Sequence, residues 1–452
     1  MIPVTMQMAR AASGFSLEAQ PEEAVKWARR SIADVLACLA AGHEEPVVRV
    51  LRDTLPLAAG PATVVGSRTG HSMLDAAQIN GAAAHALDFD DCNLLMDGHP
   101  SVSLVPALFA LSEARNASGA DLLAAYMAGV TTGIWLARLS NPDHVNRGWH
   151  PTATFGVVGC AAACCRLLRL DPGTTARALA ISASASAGLR ANSGTMTKPL
   201  HAGMANRNGL QAALLAEAGL TANVTAFEHK LGYLRAFNGR PAEELDQAAL
   251  DPLMPGEAFL SPGIAIKQYP CCAFIHSAID AASSLRPDLQ QGAVPETVTV
   301  QLHSRRLRNI DRPNPCDELD ARFSTQYLVA RALLHGTVGL RDFQPDALDD
   351  EPTRALMRRV GLSAHDRDDL NQCEVAVTMP GGAGHRASAS VAMGRGPDNP
   401  LSEDEFRRKF DDCCSALMTP ADAAALYERT MALQTQASVA GITGLLAARD
   451  GH

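Results

Sequence analysis

Three ionisable residues each stand directly before a proline at the start of an apolar stretch. They are His99 in MDGHPSVSLVPALFAL (96–111), His150 in GWHPTATFGVVG (148–159) and Lys198 in TMTKPLHAGMANRNG (195–209). Proline is tolerated in the first turn of a helix, and it pushes the preceding residue into an extended conformation. The sequence therefore predicts three helix N-termini, each with a side chain that can carry positive charge beside unpaired N–H groups.

Such helix starts favour the binding of anions, because the free amides and the positive end of the helix dipole attract negative charge. The same dipole disfavours a cation, so it is expected to lower the pKa values of the two histidines and the lysine towards the range of acid–base chemistry. Spacing alone leaves a second interpretation open, in which each residue only begins a helix and faces solvent.

A dense acidic group precedes the first of these sites, in NGAAAHALDFDDCNLLMDGHPS (80–101). Four aspartates, Asp88, Asp90, Asp91 and Asp97, lie between His85 and His99. Histidines and carboxylates together can bind a metal, but these acids crowd one segment instead of following the usual ligand spacing. We therefore predict no metal, and expect a carboxylate to orient a histidine and to raise its basicity. Capping of the next helix remains the structural alternative.

The composition sets the class of protein. The chain has 452 residues, of which 47% are hydrophobic, 4% aromatic and 19% charged, with a formal net charge of −9. This length exceeds one ordinary core, so we expect two domains, and the alanine-rich, aromatic-poor mixture favours packed helices. The negative charge, with no basic run to offset it, argues against a nucleic-acid partner.

The compartment follows from three further features. The N-terminal MIPVTMQMARAASGF has no charged region followed by an apolar run, so we predict no signal peptide, and the run GVVGCAAACC is too short to span a bilayer. The eleven cysteines are odd in number and form no C-x-x-C motif, which indicates buried thiols rather than disulfides. The sequence therefore favours a cytoplasmic protein with no membrane partner.

The hydrophobic periodicity divides the chain. Residues 20 to about 240 read as consecutive helices, whereas ETVTVQLHS (296–304), CEVAVTM (373–379) and HRASASVAM (385–393) alternate like half-buried strands, with a turn predicted at Gly381–Gly384. Helical patterns lie at 323–336 and return after Pro400. We predict a mainly α protein, in which a large all-helical domain (1–261 plus 397–452) is interrupted by a smaller α+β domain (262–396).

Five ordered blocks of this sequence resemble one known family. They are HALDFDDCNLLMDGHPSVSLVPALFAL (85–111), GWHPTATFGVVGCAAA (148–163), GTMTKPLHAGMANRNG (194–209), KQYPCCAFIHSAIDAA (267–282) and FSTQYLVARALLHGTVGLRDF (323–343), and GPDNPLSEDEFRRKF (396–410) follows them. The chain resembles the MmgE/PrpD family, which includes 2-methylcitrate dehydratase, cis-aconitate decarboxylase and iminodisuccinate epimerase. The resemblance implies an all-α domain with an inserted α+β lid domain, a homodimer, and a site between the domains without metal or organic cofactor.

Six residues match the functional pattern of that family: Asp88, His99, His150, Lys198, His276 and Tyr327. Two features depart from it. Cys92 stands where threonine is common, and the segment from Asp88 to His99 is one residue longer than in the cis-aconitate decarboxylases. That length, with GHPSxSLVPA and GWHPT, is more similar to the iminodisuccinate epimerase branch, so the sequence leaves the substrate open.

The members share one chemical task, which is to move a proton at a carbon next to a carboxylate through an enolate-like state or its decarboxylation equivalent. This task needs cations or N–H donors where negative charge develops, and an acid or base with a pKa near neutrality. We expect Lys198 and His150 to bind substrate carboxylates, and His99 to transfer the proton while Asp88 orients it. Which histidine is acid and which is base stays open.

The remaining matched residues are expected to support this site. His276 and Tyr327, from the lid domain, would close over the substrate, and His201 and Arg207 are candidate supporting residues whose alternative role is helix packing. The sequence thus predicts a cofactor-independent lyase, a dehydratase or decarboxylase, acting on a small di- or tricarboxylate. The alternative is an epimerase or isomerase of a small dicarboxylate. A protein that only binds a carboxylate is disfavoured, because every ionisable position of the pattern is filled.

Overall fold

The chain is mainly α-helical. The computed structural model describes residues 3–240, 242–245, 247–288, 294–390 and 395–447, which form 22 α-helices and eight β-strands. In chain order the helices are α1 (Val4–Ser13), α2 (Glu22–Gly42), α3 (Pro46–Thr54), α4 (Met73–His85), α5 (Val105–Arg115), α6 (Gly119–Ser140), α7 (Asp143–Asn146), α8 (Pro151–Thr154), α9 (Gly156–Leu167), α10 (Pro172–Ser184), α11 (Thr197–Glu217), α12 (Tyr233–Asn238), α13 (Glu257–Leu260), α14 (His276–Leu285), α15 (Ser304–Ile310), α16 (Glu318–Ala321), α17 (Thr325–His335), α18 (Pro345–Leu348), α19 (Glu351–Met357), α20 (Glu403–Cys414), α21 (Pro420–Met431) and α22 (Ala440–Leu446). The strands are β1 (Ala59–Thr63), β2 (Gly70–His71), β3 (Cys92–Asn93), β4 (Ile264–Ala265), β5 (Thr297–His303), β6 (Val360–His365), β7 (Cys373–Thr378) and β8 (Gly384–Ala389).

Glycine pairs let the central helices approach closely. A Cβ on Gly203 of α11 would lie 2.4 Å from the carbonyl oxygen of Gln78 in α4, and one on Gly81 of α4 would lie 2.9 Å from the Cα of Gly203. On α6 and α9 a Cβ at Gly129 would lie 2.6 Å from the Gly159 carbonyl oxygen. Only glycine fits at such distances. The α4–α11 contact matters most, because these two helices carry site residues.

Helix α6 is the longest apolar helix and lies inside the protein. Gly119–Ser140 is long and apolar enough by length and composition to cross a membrane, but 89% of its apolar window is buried in the fold. It begins at Ser118, whose hydroxyl accepts a hydrogen bond from the Asp121 N–H. Its burial is that of a core helix.

The three strands predicted from the sequence belong to a four-stranded mixed sheet, whose order is β6-β5-β7-β8. β5 pairs in parallel with β6 and antiparallel with β7, and β7 pairs antiparallel with β8. The three predicted strands are confirmed as β5, β7 and β8, although 391–393 of the third lie outside the described residues. The predicted turn is confirmed by Gly381 and Gly382, which have positive φ angles of 94° and 90°. Strand β6 was not predicted, because VGLSAH has weak alternation.

Buried apolar residues form two large clusters. The first draws on residues between 4 and 266 and between 401 and 446, so the C-terminal helices pack on the N-terminal ones. The second draws on residues between 269 and 377, where the mixed sheet lies. All eleven cysteines lie in the described ranges as free thiols, and ten of them are buried.

Two of the three predicted helix starts differ from expectation. Residues 100–104 after His99 form turns, and α5 begins only at Val105, with Pro106 in its first turn. Lys198 is already inside α11, which begins at Thr197, so Pro199 is its third residue. The first turn of a helix accepts proline at several positions because its N–H groups lack intrahelical partners. His150 agrees with the prediction: it caps α8, with Pro151 as the first residue.

Candidate active site

One small cavity collects most of the predicted site residues. Its volume is about 70 Å³, and its described lining is Asp88, Cys92, Asp97, Gly98, His99, His150, Pro151, Arg190, Ser193, Lys198, Lys267, Cys272, Ala273, Phe274, Asn309 and Phe323. Asp88, His99, His150 and Lys198, which are distant in sequence, therefore meet in one place. The lining also includes Cys272 and Phe323 of the second hydrophobic cluster.

Two lysine ammonium groups converge on one carboxylate oxygen. The Nζ of Lys198 donates to Oδ1 of Asp88 at 2.7 Å, and the Nζ of Lys267 donates to the same oxygen at 2.8 Å and to the Asp88 backbone carbonyl at 2.7 Å. Lys267 is 1% exposed. Lys267 was not predicted from the sequence, although an isolated lysine within the apolar stretch GIAIKQYPCC was the available signal.

The charges of this trio stabilise one another. Burial by itself would raise the pKa of Asp88, but the Lys198 and Lys267 ammonium groups hold it well below its usual range. Burial also opposes the charge on Lys267, yet the Asp88 carboxylate leads the interactions that raise its pKa. Two cations on one anion leave positive charge beside the cavity, which suits a negatively charged ligand.

Asp90, rather than Asp88, makes the closer contact with the His99 ring. The Nδ1 of His99 is 3.1 Å from Oδ2 of Asp90, while its Nε2 is 3.5 Å from Oδ1 of Asp88. The His99 backbone N–H donates to the Thr152 hydroxyl at 3.1 Å, so the start of α8 fixes this loop. A carboxylate on one ring nitrogen orients the imidazole, and the other ring nitrogen lies towards Asp88, which also lines the cavity.

Asp90 holds a second histidine behind the first. The Nδ1 of His85 is 2.9 Å and 3.0 Å from the two Asp90 oxygens, and the His85 and His99 rings meet edge to face at 4.6 Å. Burial lowers the pKa of His85 to about 4 against the pull of Asp90. A neutral His85 that donates from Nδ1 keeps an unprotonated Nε2, and that atom is buried with no hydrogen-bond partner among the described residues.

His150 is paired with His201 on α11. Their Nδ1 atoms are 3.1 Å apart, so one ring must donate and the other accept. Burial, followed by the nearby charge of Lys198, holds the pKa of His150 well below its usual value. The expected lowering is therefore present at His150, but its causes are burial and a neighbouring cation. The predicted support from His201 takes the form of this contact.

The cavity mouth carries one ion pair and two aromatic rings. Nη1 of Arg190 donates to Oδ2 of Asp97 at 3.2 Å, and Asp97 has a positive φ of 51°. The Lys198 ammonium lies 5.3 Å from the centre of the Phe323 ring. Phe274 and Phe323 come from the chain region of the second hydrophobic cluster. Arg190 was not identified from the sequence, since nothing in GLRANSG distinguishes it from a surface arginine.

The two site residues predicted in the lid are buried and do not line the cavity. His276 begins α14, is 3% exposed and packs edge to face against Tyr269 at 5.1 Å. Its Nε2 has no partner among the described residues, and burial, with the charge of Lys267, lowers its pKa to about 3. Tyr327 is fully buried in the second cluster, and its hydroxyl donates to the backbone carbonyls of Asp342 and, at 3.3 Å, of Ala347. Neither residue is among the described lining.

Two other positions depart from the expected roles. Arg207 on α11 bonds Asp75 at 2.8 Å, so its guanidinium is engaged away from the cavity. Cys92 does line the cavity, and its thiol donates to the Ala265 carbonyl at 3.6 Å across the β3–β4 pair. Burial raises the pKa of the Cys92 thiol, so this thiol stays protonated.

The acids and histidines also meet the geometric condition for a metal site. One ligand atom each of His85, Asp88, Asp90 and His99 lies within 4.8 Å of the others. The donor set suits a divalent ion. Its charge environment does not, because both Lys198 and Lys267 already occupy the Asp88 oxygen, and a further cation would face two ammonium groups.

The fold and the site together define a class: a mainly helical protein with a small cavity lined by buried lysines, carboxylates and histidines. Comparison with protein-family models identifies the particular family. Residues 6–245 match the MmgE/PrpD N-terminal domain and residues 269–433 match the MmgE/PrpD C-terminal domain, and the chain therefore belongs to the MmgE/PrpD family.

Curated relatives include several cis-aconitate decarboxylases. The enzyme of Homo sapiens is 30% identical over 358 residues, covering 76% of this chain and 73% of the human protein. The enzyme of Mus musculus is 30% identical, covering 74% of this chain and 70% of its own length. A cis-aconitate decarboxylase-like protein of Aspergillus oryzae is 27% identical over 461 residues, covering 94% of this chain.

Proposed function

We propose that this protein is a cofactor-independent lyase that acts on a small di- or tricarboxylate. The observation that carries the proposal is the convergence of Lys198 and Lys267 on Asp88 in the same cavity as His99 and His150. The excess positive charge would hold a carboxylate of the substrate. The similarity to cis-aconitate decarboxylases makes decarboxylation of cis-aconitate the first reaction to test.

The chemical step needs groups that stabilise a developing negative charge and a group that transfers a proton. In a decarboxylation the C–CO₂⁻ bond breaks, CO₂ leaves, and the electron pair is delocalised towards a neighbouring carboxylate before a proton is delivered to carbon. Lys198 and His150 would stabilise the charge that develops on that carboxylate. His99, held by Asp90, would deliver the proton. In a dehydration the same imidazole would remove the proton next to the carboxylate and return a proton to the hydroxyl oxygen as the C–O bond breaks, so that the hydroxyl leaves as water.

The domain arrangement is part of the proposal. We infer that residues 1–261 plus 397–452 form the helical domain, that 262–396 form the α+β lid, and that the cavity lies between them. Asp88 and Lys198 come from the chain region of the first hydrophobic cluster, and Phe274 and Phe323 from that of the second, which supports this division. A lid would bring His276 and Tyr327 closer to the substrate on closing. The homodimer also stays a prediction.

An epimerase of a small dicarboxylate is the second candidate. The longer segment from Asp88 to His99, together with GHPSxSLVPA and GWHPT, favours it, and that segment contains Asp97, which pairs with Arg190 in the cavity lining. An epimerase needs acids or bases on both faces of one carbon and no leaving group. Its product has the formula of its substrate, which separates it from a lyase.

The test is proton NMR of the protein with carboxylic acids in D₂O. The panel contains cis-aconitate, citrate, methylcitrate, tartrate and aspartate-derived acids. A decarboxylase, or a dehydratase run towards addition of water, changes the carbon skeleton or functional groups of one acid and delivers one deuterium to the carbon next to a carboxylate. An epimerase exchanges the hydrogen at that carbon for deuterium while it interconverts isomers of unchanged formula. Binding without any conversion, across the panel, contradicts both proposals.

A variant pair assigns the conversion to this cavity. His99→Ala is expected to lose most of the deuterium incorporation while still binding the acid, because Lys198, Lys267 and His150 remain. His385→Ala, on strand β8 and outside the cavity lining, is the control and should keep the wild-type rate. Turnover without deuterium on carbon, repeated with a substrate deuterated at that carbon and again without loss of label, would exclude proton transfer at this carbon.

A further inference from the structure

Three consecutive backbone carbonyls in the segment 87–89 each accept a hydrogen bond from a different buried cation. Nη1 of Arg322 donates to Leu87 at 3.1 Å, Nζ of Lys267 to Asp88 at 2.7 Å, and Nζ of Lys409 to Phe89 at 2.9 Å. Hydrogen bonds from charged donors are stronger than those from neutral ones. Each of the residues 87–89, Asp88 included, is therefore held through its carbonyl by a buried cation.

The same two outer cations hold the segment that carries Lys267. Lys409 also donates to the Lys267 carbonyl at 2.9 Å, and Arg322 donates to the Pro270 carbonyl at 2.7 Å. Arg322 follows helix α16, and Lys409 lies on helix α20 near the C-terminal end of the fold. Each cation thus joins the Asp88 segment to the Lys267 segment from a different element.

Asp88 itself has an unusual backbone. Its φ is 50°, in the left-handed region that side chains other than glycine rarely adopt. Such a conformation persists only where the surroundings over-determine it. The three carbonyl contacts supply that constraint, and the conformation they impose points Oδ1 of Asp88 at both Lys198 and Lys267.

Lys409 contacts two carbonyls and one carboxylate. Its ammonium donates to the Phe89 and Lys267 carbonyls and forms an ion pair with Oδ1 of Asp34 on α2 at 2.5 Å. Asp34 is fully buried. Burial opposes a charge on Lys409, but the Asp34 carboxylate leads the interactions that raise the pKa of Lys409, so it stays charged. Removing both charges from water is costly, so a buried ion pair often adds little to the free energy of unfolding. Stability is therefore a weak explanation for the Lys409–Asp34 pair.

We propose that Lys409 and Arg322 are positioning residues of the active site: through the carbonyls of Phe89 and Leu87 they hold Asp88 in its left-handed conformation, and so hold its carboxylate between the two lysines. Neither residue is among the described lining of the cavity. Both act through Asp88. The proposal rests on the proposed function where it concerns turnover, and on geometry alone where it concerns the shape of the Asp88 loop.

The main test removes Lys409 without leaving its counterion buried and unpaired. The double variant Asp34→Asn/Lys409→Met replaces the pair with neutral groups. We expect kcat to fall at least about tenfold with KM changed less than about threefold, because the substrate-binding cations remain while the Asp88 geometry is lost. In its crystal structure we expect Asp88 to leave the left-handed region, or its Oδ1 to move beyond hydrogen-bond distance from the Lys198 ammonium.

Two further variants complete the design. Arg322→Met removes the other outer cation, and its ion-pair partner Glu318 is partly exposed, so no fully buried charge is left unpaired. It is expected to show the same kcat and Asp88 changes. Arg30→Met is the control: Arg30 on α2 donates to the Leu401 carbonyl at 2.9 Å and to Glu403 at 3.0 Å, at the same α2–α20 contact but away from residues 87–89. It should keep wild-type kcat and Asp88 geometry.

The outcomes separate this inference from the proposed function. A folded double variant with full kcat, or with reduced kcat and unchanged Asp88 geometry, overturns the positioning role. Failure of both Arg322→Met and the double variant to fold, while Arg30→Met folds, overturns it as well, because the contacts would then be needed for folding. If the wild-type protein converts none of the acids, the proposed function fails, and the Asp88 conformation in the variant crystal structures still decides the inference.

Discussion

Lys198 and Asp88 stand 110 positions apart in the chain, and their side chains meet at 2.7 Å inside the protein. Lys198 lies in the first turn of α11, and Asp88 follows α4 by three residues. Gly81 and Gly203 lack a Cβ, and a Cβ at either position would clash with the other helix. These two helices can therefore pack closely. The position of the Lys198–Asp88 ion pair thus depends on small residues some distance from it.

Lys198→Ala is expected to reduce turnover about a hundredfold or more, the usual effect of losing a group that stabilises developing charge. The Lys198→Ala protein should still fold, for a reason that is visible only in the structure. Lys198 is 9% exposed and not a solvent-facing residue, but its removal leaves Asp88 still paired with Lys267. Steady-state kinetics and thermal unfolding measure the two effects.

The matched control is Arg207→Ala. Arg207 lies on the same helix but bonds Asp75, outside the cavity lining. Its loss should lower stability slightly, since a partly exposed ion pair contributes about 0–1 kcal/mol, and leave turnover unchanged. Full turnover in a folded Lys198→Ala protein would remove Lys198 from the mechanism.

Elemental analysis of the purified protein is expected to find less than a stoichiometric amount of zinc or iron. The reason is that Lys198 and Lys267 already neutralise Asp88, one of the four residues whose ligand atoms cluster. Dialysis against a chelator should leave turnover unchanged. About one equivalent of either metal per chain, lost together with activity and restored with it, would contradict this prediction.

Iodoacetamide is expected to modify Cys316 first in the folded protein. Cys316 is the exposed thiol among the eleven cysteines, whereas Cys92 in the cavity is buried and its pKa is raised by that burial. Thiolates react and thiols do not. Peptide mass spectrometry after brief labelling measures the sites, with Cys316→Ser as the control that should remain unlabelled. Rapid labelling of Cys92 in the native protein would show that its thiol is ionised.

Four of the six site residues that the sequence predicted stand beside a proline or in a dense acidic group, features that are visible without a fold, whereas His276 and Tyr327 do neither. Asp88, His99, His150 and Lys198 are of this kind, and all four line the cavity. Their exact helix positions were not predictable, because a first turn accepts proline at more than one position.

The residues that were missed depend on long-range contacts. Lys267 reaches Asp88 across 179 positions and Lys409 reaches Phe89 across 320, and neither lies in a motif that indicates an acceptor. The mainly α fold and the strands β5, β7 and β8 followed from periodicity. Strand β6 did not, because its burial comes from pairing with β5 rather than from its own alternation.

The free energy of unfolding is expected to fall as the pH drops from about 6.5 to about 4, and His144 is one identifiable cause. His144 is fully buried beside Phe155 and Phe237, and its Nε2 is 2.7 Å from the Thr154 hydroxyl. Burial lowers its pKa to about 4 from the model-peptide value of 6.5. Between these values the unfolded chain binds a proton that the folded protein excludes, so acid favours unfolding.

The size of this effect is measurable with one variant. A proton bound only by the unfolded chain contributes a slope of up to about 1.4 kcal/mol per pH unit to the free energy of unfolding. His144→Gln keeps a polar partner for Thr154 and cannot titrate, so its slope between pH 4.5 and 6 should be smaller than the wild-type slope by up to that amount. His385→Gln, on the half-buried face of strand β8, is measured beside it as the control for a His-to-Gln substitution elsewhere in the fold. Urea unfolding at a series of pH values gives all three slopes, and equal slopes for His144→Gln and the wild type would show that His144 binds its proton equally well in the folded protein.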